Sequence, residues 1–342
     1  MIDILYTGGT FGMVDQGAGM RPRAGIGADI AEIVAEFEAA AGLSVGYRYS
    51  ELDPVIDSAQ ADAGTGRRIA ERVRAGIASG RPKGVIVIHG TDTMAYVGAR
   101  IAFELRGCAI PILLTGAQIP LGQPGSDARD NLRLALKSIV ARTDPGTYLA
   151  FGAGLHPAVR ASKRAVEDYE GFTTIRALTP PPVPAVLPEA SRPREARGPV
   201  GLLTVFPGLH AALLDAAVDH YRGGLVLECY GSGTAPLHGT EMMDSLRRAI
   251  LRGTPVVVIT QCDSGGVDLA RYQPGRVLLD AGVISGGDMT REAALAKLTH
   301  LVDSGFCGAR LRHAMETNLL GELSNPPPAA CDSSLHHAYV AH

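Results

Sequence analysis

The chain is poor in cysteine: Cys108, Cys229, Cys262, Cys307 and Cys331 are five, an odd number, and widely spaced. No C-x-x-C occurs and no Cys/His cluster has zinc-ligand spacing, so the expectation is reduced thiols, without a disulfide framework or a structural metal. Long hydrophobic runs are missing as well. No apolar stretch approaches the roughly 20 residues that span a bilayer, which excludes a membrane helix. The first residues enter an apolar run at once, with no basic leader region and no small-residue cleavage site, so a cytoplasmic location is expected. Nor is there an excess of positive charge. Lysine plus arginine number 32 against 35 acidic residues, a formal net charge of −3. Nucleic acid and anionic membranes attract proteins through a basic face that this balance does not suggest, so neither is expected as a partner. No internal repeat of fixed period is present.

What the chain has is length and alternation. At 342 residues, 46% hydrophobic, it is expected to form one large or two moderate domains. β-Branched runs at 2–6, 84–88, 110–114, 201–206, 225–229 and 255–260 end in turns rich in glycine or polar residues. Uniformly apolar runs fit strands covered on both faces, as in a parallel sheet. Helical patterns lie between them at 26–41, 66–79, 94–105 and 127–142. The alternation predicts an α/β fold with right-handed crossovers. Proline density over 179–199 can continue neither a helix nor a central strand and reads as a linker. The expected organisation is therefore a larger N-terminal catalytic domain (1–180), a Pro-rich linker (181–199), a smaller C-terminal α/β domain (200–324) and a disordered tail (325–342).

In open parallel sheets, ligands bind at the carboxyl ends of the strands, so the turns there are searched first. Gly8-Gly9-Thr10-Phe11-Gly12 follows the first run. Paired glycines let the backbone turn sharply and lie close to a ligand, and Thr10 can point its hydroxyl into the cleft or simply cap a helix. The G-K-[ST] ending of a phosphate loop is missing, and so is the spacing of a dinucleotide fingerprint. His89-Gly90-Thr91-Asp92-Thr93 follows the 84–88 run. It sets a hydroxyl beside a carboxylate, although Asp92 or Thr93 could serve only as the cap of the next helix. His89 reads as a packed, hydrogen-bonded residue without a catalytic role.

Thr7-Gly8-Gly9-Thr10, with His89-Gly90-Thr91-Asp92-Thr93 about 80 residues on, resembles the two signature motifs of bacterial L-asparaginases. Leu114-Thr115-Gly116-Ala117-Gln118-Ile119-Pro120, Ser126-Asp127 with Asn131-Leu132, and Thr260-Gln261-Cys262 are similar to the cytosolic type I branch. The resemblance runs from about residue 2 to Gly321-Glu322-Leu323. It implies two asparaginase-like α/β domains with mainly parallel sheets, and hydrolysis of L-asparagine to L-aspartate and ammonia. Residue by residue, it implies that Thr10 is the nucleophile and that Thr91, Asp92 and Lys163 form a relay that moves the proton or activates water. A lysine taken out of water would be easier to deprotonate. Asp57, Ser58, Gly90, Thr91, Asp92 and the Ala117 carbonyl are implied to hold the substrate, with Met20 in a lid after Thr10. A homodimer or homotetramer is implied, and a second asparagine site near Ser162 and Cys262 is a feature of type I relatives.

The chemistry suits these residue types. A neutral threonine hydroxyl is a weak nucleophile that needs a base as it attacks, a contribution of about 10²- to 10⁴-fold. No metal or organic cofactor is expected. Two positions depart from the family pattern. Relatives place tyrosine where this chain has Met20, and methionine can cover a site but cannot hold a catalytic hydrogen bond. Relatives also place asparagine where this chain has Thr234. These departures leave open an amidase for a different or substituted amide beside asparagine hydrolysis; a non-catalytic amino-acid sensor that keeps the fold is a further alternative.

Overall fold

The computed structural model describes residues 1–15, 17, 19–176, 198–236 and 240–324. Nearly all of the 181–199 segment and the whole 325–342 segment lie outside the described residues. The first half is built on a six-stranded sheet of order β4-β1-β5-β6-β7-β8. Its strands are β1 (Ile2–Gly8), β4 (Tyr47–Ile56), β5 (Val85–Ile88), β6 (Pro111–Thr115), β7 (Gly146–Phe151) and β8 (Gly154–Pro157). β4, β1, β5, β6 and β7 pair in parallel, and β8 closes the edge antiparallel to β7. Two short antiparallel ribbons accompany the sheet: β2 (Met13–Asp15) with β3 (Met20–Pro22), and β9 (Ala161–Lys163) with β10 (Phe172–Thr174).

The central strands β1, β5 and β6 are buried at every residue, which explains why their sequences are apolar apart from Asp3, Thr7 and Thr115: side chains on both faces must leave water. Helices α1 (Gly27–Ala41), α2 (Thr65–Gly80), α3 (Met94–Glu104) and α4 (Ala128–Val140) cover the two faces. α1 ends at Gly42, whose φ of 63° is the left-handed closure that glycine adopts without strain. β4 escapes a pattern search because it is a half-exposed edge strand with Arg48, Glu51, Asp53 and Pro54 inside it.

The second half carries a parallel sheet of order β11-β12-β13-β14, from β11 (Val200–Thr204), β12 (Gly224–Cys229), β13 (Val256–Thr260) and β14 (Ile284–Ser285). Its helices are α5 (Ala211–His220), α6 (Thr240–Leu251), α7 (Gln273–Asp280), α8 (Arg291–Asp303) and α9 (Gly308–Glu316). The fold is therefore α/β with two mainly parallel sheets. The halves do not have wholly separate interiors. α8 packs on α3 as well as on β12, and one core cluster runs from Leu5, Val87 and Leu114 through Phe103 to Leu298, Val226 and Val257.

Candidate active site

Parallel strands β1 and β5 run in register from Asp3 against Val85 to Tyr6 against Ile88, so their carboxyl ends stop at the same level. The turns that follow touch. A Cβ on Gly9 (φ 83°) would lie 2.2 Å from the Gly90 Cα, and one on Gly90 would lie 2.3 Å from Ser58 Oγ. Only glycine permits this closeness, which is why Gly9 stands before Thr10 and Gly90 before Thr91. Ser58, buried, arrives on the short helical turn after β4, where the Asp57 carboxylate accepts the Ala59 N–H at 3.0 Å. Thr10, Asp57, Ser58, Gly90 and Thr91 thus cluster at one end of the sheet.

Thr91 is the centre of the polar contacts. Lys163 Nζ donates to Thr91 Oγ1 at 2.9 Å and to Asp92 Oδ1 at 2.7 Å. Lys163 reaches them from the end of β9, 72 residues away in sequence. Its side chain is 19% accessible and that of Asp92 62%, so the lysine is an ion-paired group at the rim and not one held dry in the interior. Asp92 does not cap α3. The cap position is Thr93, without a side-chain capping bond, and the Thr93 hydroxyl instead donates to the Ser58 carbonyl at 2.9 Å. That leaves Asp92 for Lys163.

Thr10 starts a short 3-10 turn and is half-buried, and its hydroxyl takes no hydrogen bond from another described residue. The Gly9 N–H beside it is committed to the Ile56 carbonyl at 3.0 Å. Ala117 is buried. The carbonyls before it are occupied, Thr115 O by the His89 N–H and Gly116 O by Asn131 Nδ2. The Ala117 carbonyl itself takes no hydrogen bond from a described residue.

His89 is fully buried between Thr7 and Thr93, its ring nitrogens 2.7 and 3.3 Å from their hydroxyl oxygens. Burial penalises the imidazolium and lowers the pKa to about 4, so His89 is neutral near pH 7. Met20 lies on the β2–β3 hairpin opposite Asp15 and is 37% accessible. Thr234 closes a tight turn after β12, exchanging backbone hydrogen bonds with Tyr230. Ser162 donates to Glu292 on α8 at 2.8 Å, and the Cys262 carbonyl is bound by Arg176. Sequence reasoning passed over Gln118 as a site residue: its Oε1 accepts the Thr91 hydroxyl at 3.2 Å. Its place directly after Ala117, at the end of a buried strand, was the available signal.

A hydroxyl, a lysine and a carboxylate are therefore assembled in one line beside a second threonine turn, an arrangement suited to proton transfer onto and off an oxygen nucleophile. Known proteins match both halves of the chain. The family model for the asparaginase N-terminal domain matches residues 1–183, and that for the glutaminase/asparaginase C-terminal domain matches residues 199–315. L-asparaginase 1 of Escherichia coli K12 is 32% identical over 335 residues, covering 94% of this chain and 98% of that protein. An L-asparaginase from Thermococcus kodakarensis is 36% identical over 255 residues, 70% of this chain and 76% of that protein. The crystal structure of L-asparaginase I from Vibrio cholerae superposes with a TM-score of 0.79 at 30% identity, covering 95% of this chain and 99% of that one. On these matches across both halves, the chain belongs to the asparaginase family.

Proposed function

We propose that this protein is an amidohydrolase that converts L-asparagine and water to L-aspartate and ammonia. The observation that carries the reading is the bridge from Lys163 Nζ to both Thr91 Oγ1 and Asp92 Oδ1. Binding alone needs no lysine aimed at a buried hydroxyl, which argues against a sensor. In the proposed reaction the Thr10 hydroxyl oxygen bonds to the side-chain amide carbon. The carbon–nitrogen bond breaks, and the nitrogen leaves as ammonia with the hydroxyl proton. Water activated at Thr91 then attacks the ester, and the carbon–oxygen bond to Thr10 breaks to restore the hydroxyl. Asp57, Ser58, Gly90, Thr91 and Asp92 would hold the α-carboxylate and α-ammonium, and the open Ala117 carbonyl would orient the amide nitrogen. A 1–180/200–324 division of labour, a cytoplasmic location and a homodimer or homotetramer belong to the same proposal, each supported by the type I resemblance.

A second reading, a substituted asparagine or peptide-like amide as substrate, is favoured by one feature. Thr10 has no hydroxyl partner among the described residues, and Met20 cannot give it one from the hairpin. Ammonia or amine release from L-asparagine, L-glutamine and a panel of N-substituted asparagines separates the readings, with Thr10→Ala and Thr91→Val as controls. Fast release from asparagine that both substitutions abolish is expected. Release from another amide alone would select the second reading, and full activity in both variants would overturn the threonine chemistry.

A further inference from the structure

Gln118 is anchored more firmly than a loop residue needs to be. Its backbone N–H donates to both carboxylate oxygens of Asp127 at 3.0 Å, and the Ile119 N–H donates to one of them at 3.0 Å. Asp127 is buried and also receives Asn131 Nδ2 at 2.9 Å. The Cα of Gln118 is thus held from beneath, and its side chain spans two parts of the site. Nε2 donates to the carbonyls of Ala165 and Asp168 at 3.1 and 3.3 Å, both on the loop between β9 and β10 that begins directly after Lys163. Two carbonyl partners at one end of an amide require the NH2 there, so the amide oxygen faces Thr91 Oγ1.

The consequence lies in the direction of one proton. A threonine hydroxyl has one hydrogen to donate and two lone pairs to accept with. Gln118 Oε1 can only accept, so the Thr91 hydrogen points to it. Lys163 Nζ can only donate while it is an ammonium, so it occupies one lone pair. The remaining lone pair is the one Thr91 can offer to a hydrogen arriving from a hydroxyl or a water. Without Gln118 the hydrogen could rotate into that position and block it. We propose that Gln118 is a positioning residue of the hydrolytic site: its amide fixes the Thr91 hydroxyl as a hydrogen-bond acceptor toward the arriving hydroxyl or water and seats the loop that carries Lys163. The proposal rests on the reading of Thr91 as part of the catalytic relay.

Gly171 gives an independent handle on the same amide. A Cβ there would lie 2.5 Å from Gln118 Nε2, and the carbonyl of Gly171 closes the loop by accepting the N–H groups of Arg164 and Ala165 at 2.8 and 3.3 Å. Gly171→Ala therefore displaces the far end of a flexible side chain and leaves the loop's backbone bonds in place.

The test is steady-state kinetics over pH on the best amide substrate, with melting temperatures, for wild type, Gln118→Met, Gly171→Ala and Thr91→Val. Gln118→Met keeps the side-chain length and loses every amide hydrogen bond. A fall in kcat of about 10- to 100-fold is expected, with KM within about twofold and a shifted pH profile. Gly171→Ala is expected to fall in the same direction by less, at an unchanged melting temperature. A merely structural role would lower the melting temperature while leaving kcat of the folded enzyme and the pH profile as in wild type, and that result overturns the proposal. Wild-type kcat in Gly171→Ala overturns it as well. Activity lost in Thr91→Val but kept in Gln118→Met rejects the role of Gln118 alone; activity kept in Thr91→Val rejects the relay on which it rests.

Discussion

Lys163 serves two acceptors from one ammonium, and the difference in their surroundings sets what each contact does. Asp92 lies largely in water, where an ion pair contributes about 0–1 kcal/mol to stability, so that contact mainly aims the lysine. Thr91 is buried, and the same ammonium there holds a hydroxyl whose other partner, Gln118, is also fixed. His89, two residues before Thr91, supplies stability of a kind that pH reveals. Its folded pKa of about 4 lies below the ordinary 6.5 because burial disfavours the charged ring. Between those values the unfolded chain takes up a proton that the folded chain refuses. The contribution is therefore complete above pH 6.5 and is lost as pH falls toward 4, by about 2 kcal/mol between pH 7.5 and 5. Urea unfolding at the two pH values is expected to show this loss in wild type and to show it reduced by that amount in His89→Gln. An equal acid dependence in the two proteins would assign the slope to other groups.

At the scale of the element, α8 is fastened to the end of the described chain by a pair of charges with no access to solvent. Lys297 Nζ lies 2.6 Å from Glu322 Oε1 and donates to the carbonyls of Met315 and Thr317 at 2.9 and 2.6 Å. The Glu322 carboxylate accepts the N–H groups of Leu319 and Leu320 at 2.7 to 3.1 Å. Burial lowers the lysine pKa and the glutamate opposes this, yet every charged atom has a partner. Removing one charge strands the other, a cost of about 3–5 kcal/mol, whereas removing both loses far less. Lys297→Met is expected to lower stability by that amount in denaturant titration, and Lys297→Met with Glu322→Gln to recover part of it. A single variant as stable as wild type would contradict the pairing. The helices α1 to α4 were legible in the sequence to within about two residues, because α1, α2 and α4 carry a continuous apolar stripe and α3 is buried on nearly every side. β2, β3, β9 and β10 were not, since three-residue strands carry no periodicity to detect.

Across the whole molecule, the two sheets are joined by more than chain connectivity. Fully buried Arg160 donates to the carbonyls of Gly321 and Asp288 at 2.9 and 2.8 Å, and Arg100 on α3 reaches Asp303 on α8 at 2.6 Å. With the core cluster that crosses the seam, these contacts predict that the halves unfold together. Calorimetry at fixed protein concentration is expected to give a single transition with equal calorimetric and van't Hoff enthalpies. Two resolved transitions would show that the seam is weaker than its packing implies.

By itself, the sequence determined the α/β class, the runs that form β1, β5, β6, β11, β12 and β13, and the helices α1 to α4, and through its family resemblance it grouped Thr10, Thr91, Asp92 and Lys163 as an expected site. Those properties are written locally, in apolar runs and in signature turns, and the family resemblance joins them. Only the tertiary structure decided that Lys163 bridges Thr91 and Asp92, that Asp92 leaves the helix cap to Thr93, and that Gln118 turns the Thr91 hydroxyl. It also decided that α3 and α8 share one interior. The physical reason is range: hydrophobic periodicity is a property of neighbours along the chain, whereas a hydrogen bond across 72 residues depends on strand register and on how closely two glycine turns can approach.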